Sequence, residues 1–304
     1  MERAIFTAWV RLPSQPSIKF RIMVTIMFVK IMTSLAQRKM LRKQRKLILS
    51  ADQRDAMRRA GRVNAQLMDY LRPHVIAGVR TAEIDELVVA WTADHGHACA
   101  TLGYQNFPKS CCTSRNDVIC HGIPGDEVLA DGDIVNVDIT TVVDGWHGDQ
   151  SETFLIGEVD DEKRAVTQCA FDGLYAAIDA LQPGCRVSTI GETIVPLAEG
   201  RGFTVVREYV GHGLGIEFHL DPSIPHHPNK QSRQDRLFPG MCFTIEPMIN
   251  AGSRYTRLDK SDGWTVRTKD GRPSAQFEHS VLMTEDGPEI LTLTEHGPRR
   301  GHRF

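Results

Sequence analysis

Two aspartates lie inside a pair of segments that otherwise have the composition of a buried β-sheet. Residues 133–149 contain two β-rich segments separated by Asp144-Gly145, and an Asp-Gly pair between such segments predicts a two-residue hairpin loop. That loop sets the register of the whole hairpin, because every later cross-strand pair is counted outward from it. The sequence therefore predicts two long antiparallel strands with Val143 opposite Trp146.

The same register brings the two aspartates close together. Asp138 is predicted opposite Ser151 and diagonal to Asp149, and strand parity places both carboxylates on one face of the sheet. Aspartate is depleted in strands, and burying an unpaired carboxylate costs free energy. From this run alone, two solvated acids on an exposed sheet face remain an alternative to a functional pair.

Two more acids and two histidines follow in comparable settings. Glu246 ends an apolar strand just before Pro247, which halts ladder pairing, and Glu278 lies within another predicted strand, residues 274–283. His212 stands in a Gly-His-Gly-Leu-Gly stretch that predicts a loop, and His219 follows it closely. A lone histidine is more often structural than functional, so these two become informative only beside the acids.

Four carboxylates and one imidazole that converge on one centre require neutralisation. Like charges ~4 Å apart at an effective dielectric constant near ~20 repel by ~4 kcal/mol per pair. Two divalent cations would balance the four negative charges. Oxygen donors with one imidazole favour manganese, iron, cobalt or zinc over a thiolate zinc site. Two such ions ~3.5–4 Å apart lower the pKa of a shared water to ~7 and clamp a hydrolytic transition state.

Helical patterns flank these strands twice. Ser50 and Gln53 form a predicted capping box at the start of the first helix, and Thr81 is the predicted cap of the second. A similar succession recurs over residues 162–181 and from Ser188 onward, after a Pro-Gly break. Both helical pairs precede Val/Ile-rich strands, so the chain is predicted to be a duplicated α+β unit whose halves pack around a shared centre.

Composition limits the classes of protein that fit. The chain has 304 residues with 36 Lys+Arg against 38 Asp+Glu. This near-balance of charge excludes a protein that is basic throughout and acts only by binding nucleic acid. Its seven cysteines form no CxxC pair and indicate the reduced thiols of a cytosolic protein.

Residues 1–49 differ from the rest, since they carry a single acid, Glu2, against many lysines and arginines. Their longest apolar run, 22–29, is far shorter than the ~20 residues that span a bilayer, which excludes a transmembrane helix there. An organelle transit peptide and a disordered or misassigned upstream extension are the two alternatives for this segment.

Taken together, these residues closely resemble type I methionine aminopeptidase. The resemblance covers about residues 50–296 and includes Asn-Asp-Val-Ile-Cys-His-Gly-Ile-Pro at 116–124, Gly-His212-Gly, Phe-His219, Thr-Ile-Glu246-Pro-Met and Gln-Phe-Glu278-His. It implies an α+β pita-bread fold with two pseudo-symmetric halves around a central antiparallel sheet. The expected division is the extension 1–49, a catalytic domain 50–298 and a short tail 299–304.

The resemblance also implies a ligand set for two divalent ions, which would be cobalt, manganese, iron or zinc. The implied ligands are Asp138, Asp149, His212, Glu246 and Glu278. By similarity, Asp138 binds one ion, His212 and Glu246 bind the other, and the remaining two acids bridge both. The implied reaction removes the initiator methionine from nascent proteins, with a metal-bridged hydroxide attacking the scissile carbonyl.

Two histidines outside the ligand set gain roles in the same way. By similarity, His121 and His219 contact the scissile peptide and the tetrahedral intermediate, and Glu246 shuttles a proton as well as binding metal. The implied methionine pocket is lined by Tyr104, Phe107, Cys112, Phe218 and Trp264. Rings and a sulfur suit a thioether, although each of these residues is also typical of an ordinary core.

The resemblance leaves some features open. A small second residue in the substrate is expected, because the pocket of the family closes around it. Leu220 stands where family members commonly carry an acid, which puts the polarity of the cavity rim in doubt. Nascent chains are the expected partners, the ribosome is a further candidate, and neither a membrane span nor a specific nucleic acid is expected. We expect a monomer in the cytoplasm, unless the extension directs it to an organelle.

Two other functions compete with this interpretation. Prolidases and proline aminopeptidases share the five ligands but normally carry a large extra domain before the catalytic one. A non-catalytic binding protein on the same scaffold would typically have lost ligands, whereas all five ligands, four acids and one imidazole, are present here together with His121 and His219.

Overall fold

The computed structural model describes residues 47–304, so the predictions about the basic extension concern residues that lie, up to residue 46, outside the described part. The helices described are α1 (Ala51–Leu71), α2 (Thr81–Asp94), α3 (Asp161–Asp179) and α4 (Ser188–Gly200), with short 3-10 turns at Arg72–His74 and Tyr104–Asn106. No helix in this part of the chain is both long and apolar enough to cross a membrane.

The strands form one large antiparallel sheet and two small ones. In chain order they are β1 (Ala98–Cys99), β2 (Cys111–Arg115), β3 (Val118–Cys120), β4 (Ile134–Val143), β5 (Trp146–Leu155), β6 (Thr204–Val205), β7 (Gly211–Gly213), β8 (Leu220–Ile224), β9 (Cys242–Ile245), β10 (Met248–Asn250), β11 (Thr256–Leu258), β12 (Val266–Thr268), β13 (Ser274–Gln276), β14 (Glu278–Met283) and β15 (Pro288–Ile290). The large sheet has the order β1-β4-β5-β14-β9-β7-β8, with β2 also on β4 and β15 also on β14. The small sheets are β13-β10-β6 and β11-β12-β3.

The predicted hairpin is confirmed in type and register. Strands β4 and β5 pair antiparallel with Val143 opposite Trp146 and Asp138 opposite Ser151. Asp144 and Gly145 both have positive φ, at 51° and 82°, which is the backbone geometry that an Asp-Gly loop supplies at low cost. Asp149 lies on β5 two residues before Ser151, opposite Thr140.

The helix signals were mostly correct. Ser50 caps α1 through the complete capping box with Gln53. Thr81 is the first residue of α2 and not its cap, because Arg80 takes the N-cap position and the Thr81 hydroxyl bonds the Gly125 carbonyl.

Two strand predictions need correction. The glycine-rich stretch that carries His212 is not a loop, because Gly213 pairs with Phe243 of β9 and residues 211–213 form β7. Residues 274–283 are not one strand, since Phe277 separates β13 from β14 and the two strands join different sheets.

Two pairs of helices cover the strands. Helix α1 packs on the β4–β5 hairpin, where the Asn64 amide donates hydrogen bonds to the carbonyls of Ile139 and Gly148. Gly148 has no alternative there, because a Cβ would overlap the Ala60 carbonyl. Helices α3 and α4 cover the second half through a large apolar cluster that includes Phe171, which is 2% exposed. The predicted duplication thus corresponds to two pairs of helices, one on the β4–β5 hairpin of the large sheet and one mainly on the small sheet β13-β10-β6.

The last residues of the chain pack against this second half. Phe304 lies on the rings of Phe171 and Phe277, with centroid distances of 5.3 Å and 5.5 Å. Its backbone N–H donates to Gln168 of α3, and Arg300 pairs with Asp179. Residues 299–304 are therefore packed on α3.

We predict that Phe304→Ala lowers the free energy of unfolding by about 1–2 kcal/mol, because it returns a partly buried ring surface to water. Urea denaturation followed by circular dichroism measures this. Leu293→Ala, which truncates a side chain that is 55% exposed, is the matched control and should change little. An unchanged midpoint for Phe304→Ala would show that the packing contributes nothing.

Candidate metal centre and substrate cavity

Four strands of the large sheet, and the residue that follows a fifth, contribute one predicted metal ligand each. Asp138 lies on β4, Asp149 on β5, Glu278 on β14, His212 on β7, and Glu246 follows the last residue of β9. Ser151 pairs with both Asp138 and Glu278, so these two acids share a row across the sheet and face the same side. His279 pairs with Ile245, and extending that register by one residue puts Glu246 beside Glu278.

These side chains form the floor of one cavity of about 450 Å³. Every side chain that the sequence analysis assigned to the site lines it. These are Tyr104, Phe107, Cys112, His121, Asp138, Asp149, His212, Phe218, His219, Glu246, Trp264 and Glu278. Side chains that the sequence analysis did not single out complete the wall, among them Thr101, Gln105, Thr140, Glu208, Tyr209 and Met248.

Three of the predicted ligands already have the spacing of a metal site. Asp149, His212 and Glu278 each offer one donor atom, and the three atoms lie within 4.8 Å of one another. His212 Nε2 is 3.5 Å from a carboxylate oxygen of Asp149 and 3.7 Å from one of Glu246. The imidazole thus points its free nitrogen at two acids from different strands.

In the described part of the chain, the four acids of the cavity floor have no nearby positive charge to neutralise them, which favours binding of a cation. Burial raises the pKa of Asp138 to about 7. Burial, with the negative charge of neighbouring acids, also raises the pKa values of Asp149, Glu246 and Glu278 well above the usual range. Among the described residues, 47–304, none that lines this cavity is a lysine or arginine. Divalent cations would supply the missing positive charge, so the donor set fits them.

A histidine binds metal through its neutral imidazole, and the His212 ring is neutral at pH 7. Burial, followed by the nearby His219, lowers the pKa of His212 to about 3. The other ring nitrogen, Nδ1, is 3.1 Å from the Gly213 carbonyl, which can only accept a hydrogen bond. Nδ1 therefore carries the proton and Nε2 presents its lone pair to the acids.

Hydroxyl and amide groups orient the acids from behind. The Thr140 hydroxyl donates to Asp149 at 2.8 Å. The Thr244 hydroxyl and the Gln276 amide donate to the two oxygens of Glu246, at 2.8 Å and 3.2 Å. The sequence analysis missed these residues. Strand parity could have found Thr140 and Thr244, because each lies two residues along the chain from an acid and therefore faces the same side.

His121 is held in an unusual backbone conformation. Its φ is 57°, in the left-handed region, and Gly122 follows with its α-carbon so close to the Thr113 carbonyl that a Cβ would overlap it. The ring meets Tyr209 and Trp264 edge to face, at 5.5 Å and 6.0 Å. Burial lowers the pKa of His121 to about 4, so the ring is neutral at pH 7.

The rest of the cavity wall is aromatic and sulfur-rich. Tyr104 contacts Phe218 and His219, each at a centroid distance of 4.9 Å. Phe107 meets Trp264 edge to face at 5.1 Å. Cys112 lies opposite Asp138 on the adjoining strand, which places a thiol at the border between this wall and the acidic floor. All seven cysteines are free thiols.

The acids, the imidazole and the antiparallel sheet together define a metallopeptidase. Residues 55–285 match metallopeptidase family M24, and the chain belongs to that family. The chain is 49% identical over 249 residues to methionine aminopeptidase A of Synechocystis, covering 82% of this chain and 98% of that protein. It is 45% identical over 241 residues to methionine aminopeptidase of Escherichia coli, covering 79% of this chain and 90% of that protein.

Solved structures agree with the sequence comparison. The crystal structure of methionine aminopeptidase from Rickettsia prowazekii matches with a TM-score of 0.79 and 43% identity, over 81% of this chain and 99% of that one. Prolidase from Pyrococcus furiosus matches with a TM-score of 0.67 and 20% identity, over 84% of this chain and 68% of that one, and shares the fold. The predicted pita-bread fold and the resemblance to methionine aminopeptidases are confirmed.

The raised pKa values predict that metal binding releases protons. Carboxyl groups that are protonated in the metal-free protein must lose their protons to bind a cation, so affinity for Mn²⁺ should weaken as pH falls through about 7, the pKa of Asp138. Titration calorimetry in two buffers with different ionisation enthalpies counts the protons. A binding enthalpy that is independent of the buffer at pH 7 would contradict the prediction.

Proposed function

We propose that this protein removes the amino-terminal methionine from newly made polypeptides. The observation that carries the proposal is one cavity with two unlike walls. Its floor presents four acids and a neutral imidazole, and its side presents aromatic rings with a thiol and the thioether of Met248. The floor suits metal-assisted hydrolysis and the side suits an unbranched thioether. The similarity to methionine aminopeptidases supports the same substrate.

Two divalent ions are proposed, held by the ligand set that the resemblance implies. Asp149 and Glu278 would bridge them, Asp138 would complete one ion's set, and His212 with Glu246 would complete the other's. Bound there, the ions would supply Lewis-acid chemistry, which activates water and neutralises charge that develops on a peptide oxygen. The identity of the metal in the cell is left to experiment among cobalt, manganese, iron and zinc.

The remaining polar residues would bind and orient the peptide. His121 is half-buried and His219 is exposed at the edge of the cavity. Partial removal of each ring from water lowers its pKa to about 4, so each is neutral at pH 7. A neutral imidazole can donate one hydrogen bond and accept another, which suits a peptide N–H and a developing oxyanion. Glu246 would move the proton to the leaving amine, with its two oxygens oriented by Thr244 and Gln276.

The proposed methionine pocket is formed by Tyr104, Phe107, Cys112, Phe218 and Trp264. The ring contacts between Phe107 and Trp264 and between Tyr104 and Phe218 make its walls rigid. A small second residue in the substrate is proposed as well. The ribosome as a partner, the monomeric state and the cytoplasmic location are carried as predictions from the resemblance.

Peptide cleavage tests this function directly. Protein stripped of metal is incubated with Met-Ala-Ser or Ala-Pro-Ser, with Mn²⁺, Co²⁺ or Fe²⁺ added, and free amino acids are measured by mass spectrometry. We expect methionine from the first peptide only, and only with metal. Release of alanine from Ala-Pro-Ser would indicate a proline-specific peptidase, and no cleavage with metal bound would indicate a binding protein.

Substitution of a proposed bridging acid should abolish turnover. Asp149→Asn and Glu278→Gln each keep the shape of the side chain but remove the charge that would join two cations. Initial rates on Met-Ala-Ser should fall to background. Asp126→Asn, which changes a carboxylate that is 99% exposed, is the control. Wild-type rates in both bridging variants would overturn the ligand assignment.

His121→Ala should separate metal binding from catalysis. Its ring contacts Tyr209 and Trp264 and is not in the ligand cluster, so metal content should stay at the wild-type level. The rate on Met-Ala-Ser should fall by about 10²-fold or more, as is typical for a lost general acid–base or oxyanion contact. Plasma emission spectroscopy measures the metal, and loss of metal together with rate would contradict the assigned role.

A further inference from the structure

His147 is a half-buried histidine that has no role in the proposed function. It lies on β5 next to the acidic floor but does not line the cavity. Its backbone N–H donates to the Gly215 carbonyl at 3.0 Å, and its ring Nδ1 is also 3.0 Å from that oxygen. A carbonyl only accepts, so Nδ1 carries a hydrogen and one residue makes two hydrogen bonds to one oxygen.

The same ring makes a second contact. It stacks on Phe218 with a centroid distance of 5.9 Å and an interplanar angle of 11°. Gly215 and Phe218 both belong to the β7–β8 turn, residues 214–219, which joins His212 to His219. His147 therefore holds this turn at its start and near its end, and it does so from the opposite half of the duplicated fold.

The turn carries two residues that line the proposed substrate cavity, Phe218 and His219. Phe218 contacts His219 at 4.1 Å, and both contact Tyr104. We propose that His147 is a positioning residue that sets where Phe218 and His219 meet the amino-terminal methionine. The inference rests on the proposed function and adds a specificity determinant to it.

The His212 ring lies 4.1 Å from that of His219, but the backbone of His212 is held by contacts outside the turn, which makes the inference testable. Its backbone N–H donates to the Thr244 hydroxyl at 3.0 Å, and Gly213 pairs with Phe243 of β9. Loss of the His147 ring would therefore move the turn and leave the metal ligand in place. Substrate affinity and metal affinity should respond differently to the same substitution.

Three substitutions of His147 test separately the hydrogen bond to Gly215 and the stacking on Phe218. His147→Phe keeps an aromatic ring for the stack and loses the Nδ1 donor. His147→Asn keeps a donor for Gly215 and loses the ring. His147→Ala loses both. The matched control is His95→Ala at the C-cap of α2. The His95 ring is also hydrogen-bonded to one carbonyl and stacked on one ring, at 2.7 Å from the Trp91 oxygen and 3.8 Å from the Trp91 centroid.

The readouts are KM and kcat on Met-Ala-Ser, the Kd for Mn²⁺ and the melting temperature. We expect His147→Ala to raise KM by about 10-fold with the Kd for Mn²⁺ unchanged, and the Phe and Asn variants to lie between it and wild type. A merely structural role would lower the active fraction and the melting temperature without moving KM. Unchanged KM in His147→Ala, or a loss of Mn²⁺ affinity as large as the rise in KM, would overturn the inference.

A measurement without peptide separates this inference from the proposed function. In protein labelled with ¹⁵N-histidine and loaded with Zn²⁺, the ring resonances of His219 should shift in His147→Phe and stay in place in His95→Ala. Unshifted His219 resonances in His147→Phe would refute the positioning role, whereas absence of methionine release by the wild type would refute only the proposed function.

Discussion

The repulsion among four buried or half-buried carboxylates is the constraint on which the rest of this structure depends. Asp138, Asp149 and Glu278 lie on three strands, and Glu246 follows a fourth. Burial raises the pKa of each acid, and the charge of neighbouring acids adds to this for all but Asp138. Such a group is costly in a folded protein unless cations bind it. The sheet nevertheless places these acids on one face in adjoining positions. The free-energy cost of burying them is therefore explained by a metal site and not by the stability of the fold.

The antiparallel register is what assembles the group. Direct cross-strand partners face the same side of a sheet, and the pairing of Ser151 with both Asp138 and Glu278 joins a hairpin of the first half to a strand of the second. The helices lie on the other side of this arrangement. Their apolar clusters hold the strands in register, and close approaches such as Gly148 against Ala60 leave no freedom for slippage.

Local signals account for most of what the sequence predicted correctly. The Asp-Gly loop determines the register of β4 and β5, and the Ser50 capping box determines where α1 begins, because both depend on residues close in the chain. The family motifs supplied the ligand set and the pocket residues, and all of them line one cavity.

The misses have a common physical origin, because each depends on partners distant in the chain. The stretch around His212 forms a strand because Phe243 is there to pair with Gly213. Residues 274–283 divide at Phe277 because two sheets compete for them. The groups behind the site, such as Gln276 on Glu246 and His147 on the turn, follow from contacts between strands that single-sequence patterns do not encode.

Anomalous diffraction from crystals soaked in Mn²⁺, recorded at the manganese absorption edge, tests the central claim most directly. The account predicts two peaks on the cavity floor, with the carboxylates of Asp149 and Glu278 between them and His212 Nε2 bound to one. No peak there at saturating Mn²⁺, or peaks bound by other residues, would contradict it.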